Sequence, residues 1–246
     1  MEKTSEKVWK DGEEQDVEEE KPKKASSKKK LHEPVADLAE EAEEKSEDKE
    51  INAKAILKKA PKGKIPTGIK PMLATLVNVP FDDPEWVYEV KWDGYRTLGF
   101  INKGEVQLLS RNNKDFNEKY YPLKKLLESW KLNVVIDGEV LVLNDKGVSN
   151  FGALQNWRSE ADGELVLYIF DILWYDGKNL MDLPLTERQA IMRDVIPTDD
   201  DRVRISQTFK ANGTEFLRLP AKLAWKALWL NVATALTRRI TALKTG

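Results

Sequence analysis

The stretch Glu89-Val90-Lys91-Trp92-Asp93-Gly94-Tyr95-Arg96 decides how the chain is read. Residues 86–92 alternate as a half-buried strand does, Asp93-Gly94 turns the chain, and a second β-forming run covers residues 96–101. A lysine therefore ends a strand at a turn, the kind of place where a pocket mouth opens. Its amine attacks a phosphate only in the deprotonated form, which burial or a neighbouring cation favours. Arg96, five residues on, can supply that positive charge and hold a phosphate or a ribose hydroxyl. Taken alone, Lys-x-Asp-Gly fits a surface lysine beside a β-turn equally well.

Outward from this stretch the pattern stays β-rich. Residues 105–110 form the next strand, behind a turn at Asn102-Lys103-Gly104. Residues 120–130 place Leu123, Leu126, Leu127 and Trp130 at helical spacing and predict an amphipathic helix. Residues 134–143 and 165–174 are long apolar β-forming runs and predict central strands, with a short helix over 150–158 between them. Thr186, followed by Glu187, Ala190, Ile191 and Val195, predicts a capped helix that ends before Pro197. The sum is an α+β domain on an antiparallel sheet, without βαβ repeats.

Composition narrows the chemistry further. The chain has 246 residues, no Cys and a single His, His32, so disulfides, thiol catalysis, Cys-ligated zinc and a His base in the folded part are excluded. The net charge of −2 gives no argument for a nucleic-acid partner, because an acidic N-terminal segment masks the charge of the rest. Residues 1–64 are mostly Glu, Lys, Asp, Ser and Ala with one aromatic residue, Trp9. Such a stretch buries too little apolar surface to offset the entropy of ordering it, and is expected to be a disordered mixed-charge linker with transient helix over 36–44. No apolar run approaches the ~18 to 20 residues of a membrane span.

Three further segments bear on Lys91. Ser110-Arg111-Asn112 offers a guanidinium and an amide at a strand end. Asp137-Gly138-Glu139 interrupts the apolar run Val134-Val135-Ile136 and Val140-Leu141-Val142. Carboxylates inside such a strand are costly unless paired or bound to a cation; the alternative is a bulge on an edge strand at Gly138. Tyr168-Ile169-Phe170-Asp171 places an aromatic ring beside an acid, although core packing alone would account for Phe170.

In this order, the four segments resemble the motifs of the covalent nucleotidyltransferases, the superfamily of DNA ligases, RNA ligases and mRNA capping enzymes. The resemblance spans residues 70–217 and is closest to the ligase domain of bacterial non-homologous end-joining ligases. Pro71-Met72-Leu73-Ala74, Phe151-Gly152-Ala153-Leu154-Gln155 and Leu183-Pro184-Leu185 with Arg188 share it. It implies a covalent nucleotidyltransferase (ATP-grasp-like ligase adenylation) domain over residues 65–217, incomplete at its C-terminal side. It also implies roles: Lys91 attacks the α-phosphate of ATP to form lysyl-AMP, Glu89 lies beside the adenine, and Arg96 and Arg111 contact ribose or phosphate. Glu139 would bind ribose or help hold Mg²⁺ or Mn²⁺, and Phe170 would stack on the base. The implied partners are nicked or broken duplex DNA and other end-joining proteins. The implied setting is a monomer in the bacterial cytoplasm, at the nucleoid, away from membranes. Two other readings share Lys91: an RNA ligase or capping-type enzyme, and a remnant that binds nucleotide without ligating.

The pattern then breaks. The family's next motif, Glu-Gly followed by apolar residues and Lys, is missing, and after Glu215 there is no Asp or Glu at all. One permitted codon choice for residues 224–232, read from its third base, spells L-E-G-I-M-A-K-R. Residues 218–246 are therefore expected to be an aberrant tail produced by a frameshift near Arg218. The alternative is an amphipathic, Trp-bearing helix.

Overall fold

A computed structural model describes residues 51–73, 86–144, 147–209 and 228–232, all within one compact unit. Residues 1–50 of the expected linker, with its transient helix, and residues 210–227 and 233–246 of the C-terminal part, with the Arg218 junction, lie outside the described residues.

The strands number β1 to β9: Trp86–Val90, Tyr95–Asn102, Glu105–Ser110, Val134–Val142, Leu165–Tyr175, Lys178–Asn179, Val203–Ile205, Thr208–Phe209 and Leu228–Val232. Helices α1 to α4 are Ala53–Lys59, Tyr121–Glu128, Phe151–Asn156 and Leu185–Val195. A six-stranded sheet runs β3-β2-β4-β5-β6, with β7 parallel to β5 and every other pairing antiparallel. A second sheet has the order β8-β1-β9 and is antiparallel throughout.

Strand alternation builds the main core. Val134, Ile136, Val140 and Val142 of β4 join Leu165, Leu167 and Ile169 of β5 under Leu123 and Leu127 of α2. Along β5 the core phase then slips from Ile169 to Ile172. The register explains it: Gly138 faces Ile169 while Asp137 faces Asp171, leaving Phe170 as an extra residue. A bulge of this kind re-aims the side chain at which it occurs, and Phe170 is the one half-buried interior position of an otherwise buried strand.

Four expectations need correction. The packed region begins before residue 65: Ile56 and Leu57 of α1 and the buried Ala60 belong to the main core, because this stretch of the supposed linker has enough apolar spacing to pay for its ordering. The helix over 185–195 is not capped by Thr186, which lies inside it; Pro184 takes the N-cap position and, having no polar side chain, makes no side-chain cap. The irregularity beside Gly138 lies in a central strand, paired on both sides, and not at an edge. Residues 228–232 form β9 alongside β1, where a helix was the alternative; Leu-Trp-Leu-Asn-Val is β-forming, and β1 offers it an unpaired edge.

Candidate active site

Lys91 is exposed immediately after β1, where the chain leaves that strand for the turn into β2. The turn is held close to β4. A Cβ on Gly94 would overlap the carbonyl oxygen of Val140, so only glycine lets the backbone approach this far. In that position the Gly94 N–H donates to Glu139.

Trp92 fixes the next side chain. Its ring stacks on Tyr168 of β5 with centroids 3.7 Å apart, and its indole N–H donates to Ser206 Oγ at 3.2 Å. Arg204 also holds Tyr168, donating to its hydroxyl at 3.0 Å with its guanidinium 5.7 Å from the ring centroid. Lys91 is thus bracketed by a clamped Trp92 and a buried Glu89. Glu89 accepts a hydrogen bond from Gln189 Nε2 at 2.9 Å, which ties β1 to α4.

The β2–β4 register brings the charged residues of the large sheet together: Arg96 faces Glu139 and Leu98 faces Asp137. Arg96 donates from Nε and Nη2 to the two oxygens of Asp137 at 3.0 and 2.8 Å, and from Nη1 to the Met72 carbonyl at 2.6 Å. Its guanidinium also lies 5.1 Å from the centroid of the Phe170 ring, a cation–π distance. Among the described residues, these bonds use three of its five N–H groups. One strand further on, buried Asp171 takes a bidentate contact from the fully buried Arg188, 2.7 Å at each oxygen. The two buried acids are therefore each matched by an arginine, as buried charge requires.

Glu139 differs from both. It is half-buried, and burial, assisted by the charge of Asp137, pushes its carboxyl up to about 7 against the pull of Arg96, the Gly94 N–H and Lys91. Burial likewise raises Asp137, with Arg96 opposing. For Arg96, burial works against the charge, but Asp137 outweighs it and holds the guanidinium above its ordinary value. Raised carboxyls beside a cationic cluster are a common mark of functional sites.

Of the residues expected from sequence, Lys91, Arg96, Glu139 and Phe170 share one locality: Glu139 senses Lys91 and Arg96, and Arg96 covers Phe170. Glu89 lies behind Lys91, buried against α4. Arg111 is exposed in the turn after β3; Ser110 faces Thr97, so Arg111 sits at the same end of the sheet as Arg96. Among the described residues no group of three acidic, His or Cys side chains could hold a metal, and no helix is long and apolar enough to cross a membrane. Sequence reasoning missed the supporting residues Trp92, Tyr168 and Gln189. For Gln189 a signal existed: Arg188 and Gln189 fall within the Leu185, Met192 stripe of α4, where polar residues must find buried partners.

Residues 71–221 match the family described as the ATP dependent DNA ligase domain, more than half of the chain. The chain belongs to that family. It is 38% identical over 167 residues to the multifunctional non-homologous end joining protein LigD of Pseudomonas aeruginosa, a match covering 65% of this chain and 19% of that protein. The corresponding protein of Mycolicibacterium smegmatis is 35% identical over 129 residues, covering 52% and 17%. The chain therefore spans about a fifth of the length of these curated relatives. Among solved structures, the ligase domain from M. tuberculosis LigD superposes with a TM-score of 0.59 at 27% identity, over 68% of this chain and 54% of that one. The antiparallel sheet with few helices is thus the adenylation-domain fold of ATP-dependent ligases.

Proposed function

We propose that this chain is the adenylation part of an ATP-dependent DNA ligase of the end-joining type, with Lys91 as the nucleophile. The observation that carries this reading is the placement of Lys91 on a turn held against Glu139, beside the Arg96–Phe170 pair. Lys91 Nζ, once deprotonated, attacks the α-phosphorus of ATP; a P–N bond forms, the α–β bridging P–O bond breaks, and pyrophosphate leaves. The bound AMP then passes to the 5′-phosphate of a DNA nick, and the 3′-hydroxyl displaces it to close the strand.

Phe170 offers its ring to the base, Arg96 and Arg111 meet ribose or phosphate oxygens, and the Gln189-held carboxylate of Glu89 lies on the adenine side. Asp137 and Asp171 are committed to Arg96 and Arg188 and Glu89 to Gln189, so of these four acids Glu139 is the one placed to face a cation. One carboxylate together with phosphate oxygens is a usual way to hold Mg²⁺, so the residues present fit a divalent ion carried in by the nucleotide. When bound, it would offset the charge gathering on pyrophosphate.

The tail limits the activity. Opposite Glu89, β9 places Trp229, and opposite Val87 it places Asn231. With the codon choice given above, the shifted frame would read I-M-A-K-R over this strand, and its lysine would take the place of Asn231, on the same face as Glu89. The end of the family match at residue 221, close to Arg218, also supports a frameshift there.

Two assays test the proposal. With [α-³²P]ATP and Mg²⁺ or Mn²⁺ the chain should acquire protein-bound label that is stable to alkali and labile to acid, weakly, and Lys91→Ala should acquire none; equal labelling of both would remove Lys91 as nucleophile. A version corrected at the Arg218 codon should label strongly and seal a nicked duplex. Equal sealing by the two versions would reject the frameshift.

A further inference from the structure

Residues 51–73 carry six lysines, Lys54, Lys58, Lys59, Lys62, Lys64 and Lys70, and no Asp or Glu. All six are exposed. The segment is nevertheless fastened along its length. Lys178 Nζ donates to the carbonyl of Ala60 at the end of α1, and Asn179 N–H donates to Pro61 O. Gly63 gives its N–H to Gly177 and takes the indole N–H of Trp174 on its carbonyl at 2.7 Å. Ile65 and Ile69 then pack on a patch made by Leu98, Val135, Leu173 and Trp174. At the far end the Met72 carbonyl accepts from Arg96.

The strap therefore crosses the large sheet from β6 over β5 and β4 to β2 and finishes at a residue of the candidate active site. Its apolar side chains face the sheet and its ammonium groups face out. Two carboxylates border it, Asp176 and Asp182, in the turns flanking β6, each accepting from an asparagine amide.

We propose that this strap is a docking track for the phosphate backbone of the DNA on which the adenylylated enzyme acts. The inference rests on the reading of the substrate as duplex DNA, but on different residues from those that make lysyl-AMP. A fixed row of exposed lysines recognises closely spaced phosphates, and the strap that carries it ends at Met72, bonded to Arg96 just beyond the turn that holds Lys91. Each phosphate neutralised releases counterions, so the contribution is read from the salt dependence of binding. The competing occupant is the chain's own residues 37–50, with Asp37, Glu40, Glu41, Glu43, Glu44, Glu47, Asp48 and Glu50 against Lys45 and Lys49.

The test uses the full chain and a nicked duplex, with affinity measured from low to moderate salt. Lys59, Lys62 and Lys64 are changed to Gln together; a control changes Lys103, Lys125 and Lys131 to Gln and so alters net charge equally. The strap variant should reduce the slope of log affinity against log salt by about 2 to 3, at roughly 0.9 per lost contact on duplex DNA. The control should hold the parent slope, and both variants should label with ATP as the parent does. Equal slopes for strap variant and control overturn the proposal. An unchanged slope in the strap variant, with tighter binding once the acids of residues 37–50 are neutralised, assigns the strap to that segment instead. Loss of labelling in all proteins would count against the nucleotide reading and leave the DNA slopes to be judged separately.

Discussion

Replacing Glu139 with glutamine separates what the carboxylate costs the fold from what it gives the chemistry. Its folded value of about 7 lies about 2.5 units above the ordinary 4.5. At about 1.36 kcal/mol per unit, the ionised form is disfavoured in the native state by about 3 kcal/mol, less some solvent screening because the group is only half-buried. In the unfolded chain the proton leaves near 4.5, whereas the native protein keeps it to about 7. The native state thus binds more protons across this window, so stability falls as pH rises through it. The cost is nearly absent below 4.5 and complete above about 7. Glutamine keeps an oxygen for the Gly94 N–H and never ionises. Urea unfolding of parent and Glu139→Gln should give similar stability near pH 5 and an advantage of about 2 to 3 kcal/mol for the variant at pH 8. Adenylylation by the variant should be impaired at both pH values. Parallel stability curves from pH 5 to 8 would refute the argument, because they would mean that Glu139 titrates alike in the folded and unfolded chains.

Two further perturbations follow from the same geometry. Arg188→Met should cost about 3 to 5 kcal/mol by leaving the buried Asp171 carboxylate the Ile172 N–H but not the guanidinium, while Arg188→Met with Asp171→Leu should recover most of it; chemical denaturation of both checks this. Gly94→Ala should lower stability by about 1 to 3 kcal/mol, because the Val140 carbonyl occupies the space of its Cβ, and should reduce labelling at Lys91 by pushing the turn off β4; calorimetry and the ³²P assay measure the two effects.

Much of the fold was legible because period and burial coincide. β4 and β5 announce themselves as unbroken apolar runs, and α2 by its Leu123, Leu127 spacing. The candidate site was legible where a residue contradicts its surroundings: Lys91 at a strand end, Asp137 and Glu139 within an apolar strand. It was not legible where identity depends on a distant partner. Asp137 and Glu139 look equivalent in sequence, yet Asp137 takes both contacts of Arg96, whereas Glu139, which stands directly opposite Arg96 in the β2–β4 register, accepts the Gly94 N–H. The bulge at Phe170 is likewise invisible locally, since it arises from a count of residues on two strands 30 positions apart. The strap escaped because its apolar residues, Ile65 and Ile69, are few and their partners lie on three other strands.

The adjacency of Arg188 and Gln189 has a mechanical consequence. One turn of α4 holds Asp171 in the large sheet with the first side chain and Glu89 in the small sheet with the second. The helix therefore acts as a two-pronged clasp, and the sheets cannot part along this seam without straining the same turn. Any opening that admits nucleotide between β1 and β5 would be felt first in the amide protons of residues 188–192, whose hydrogen exchange should quicken together and slow together when the cleft is filled.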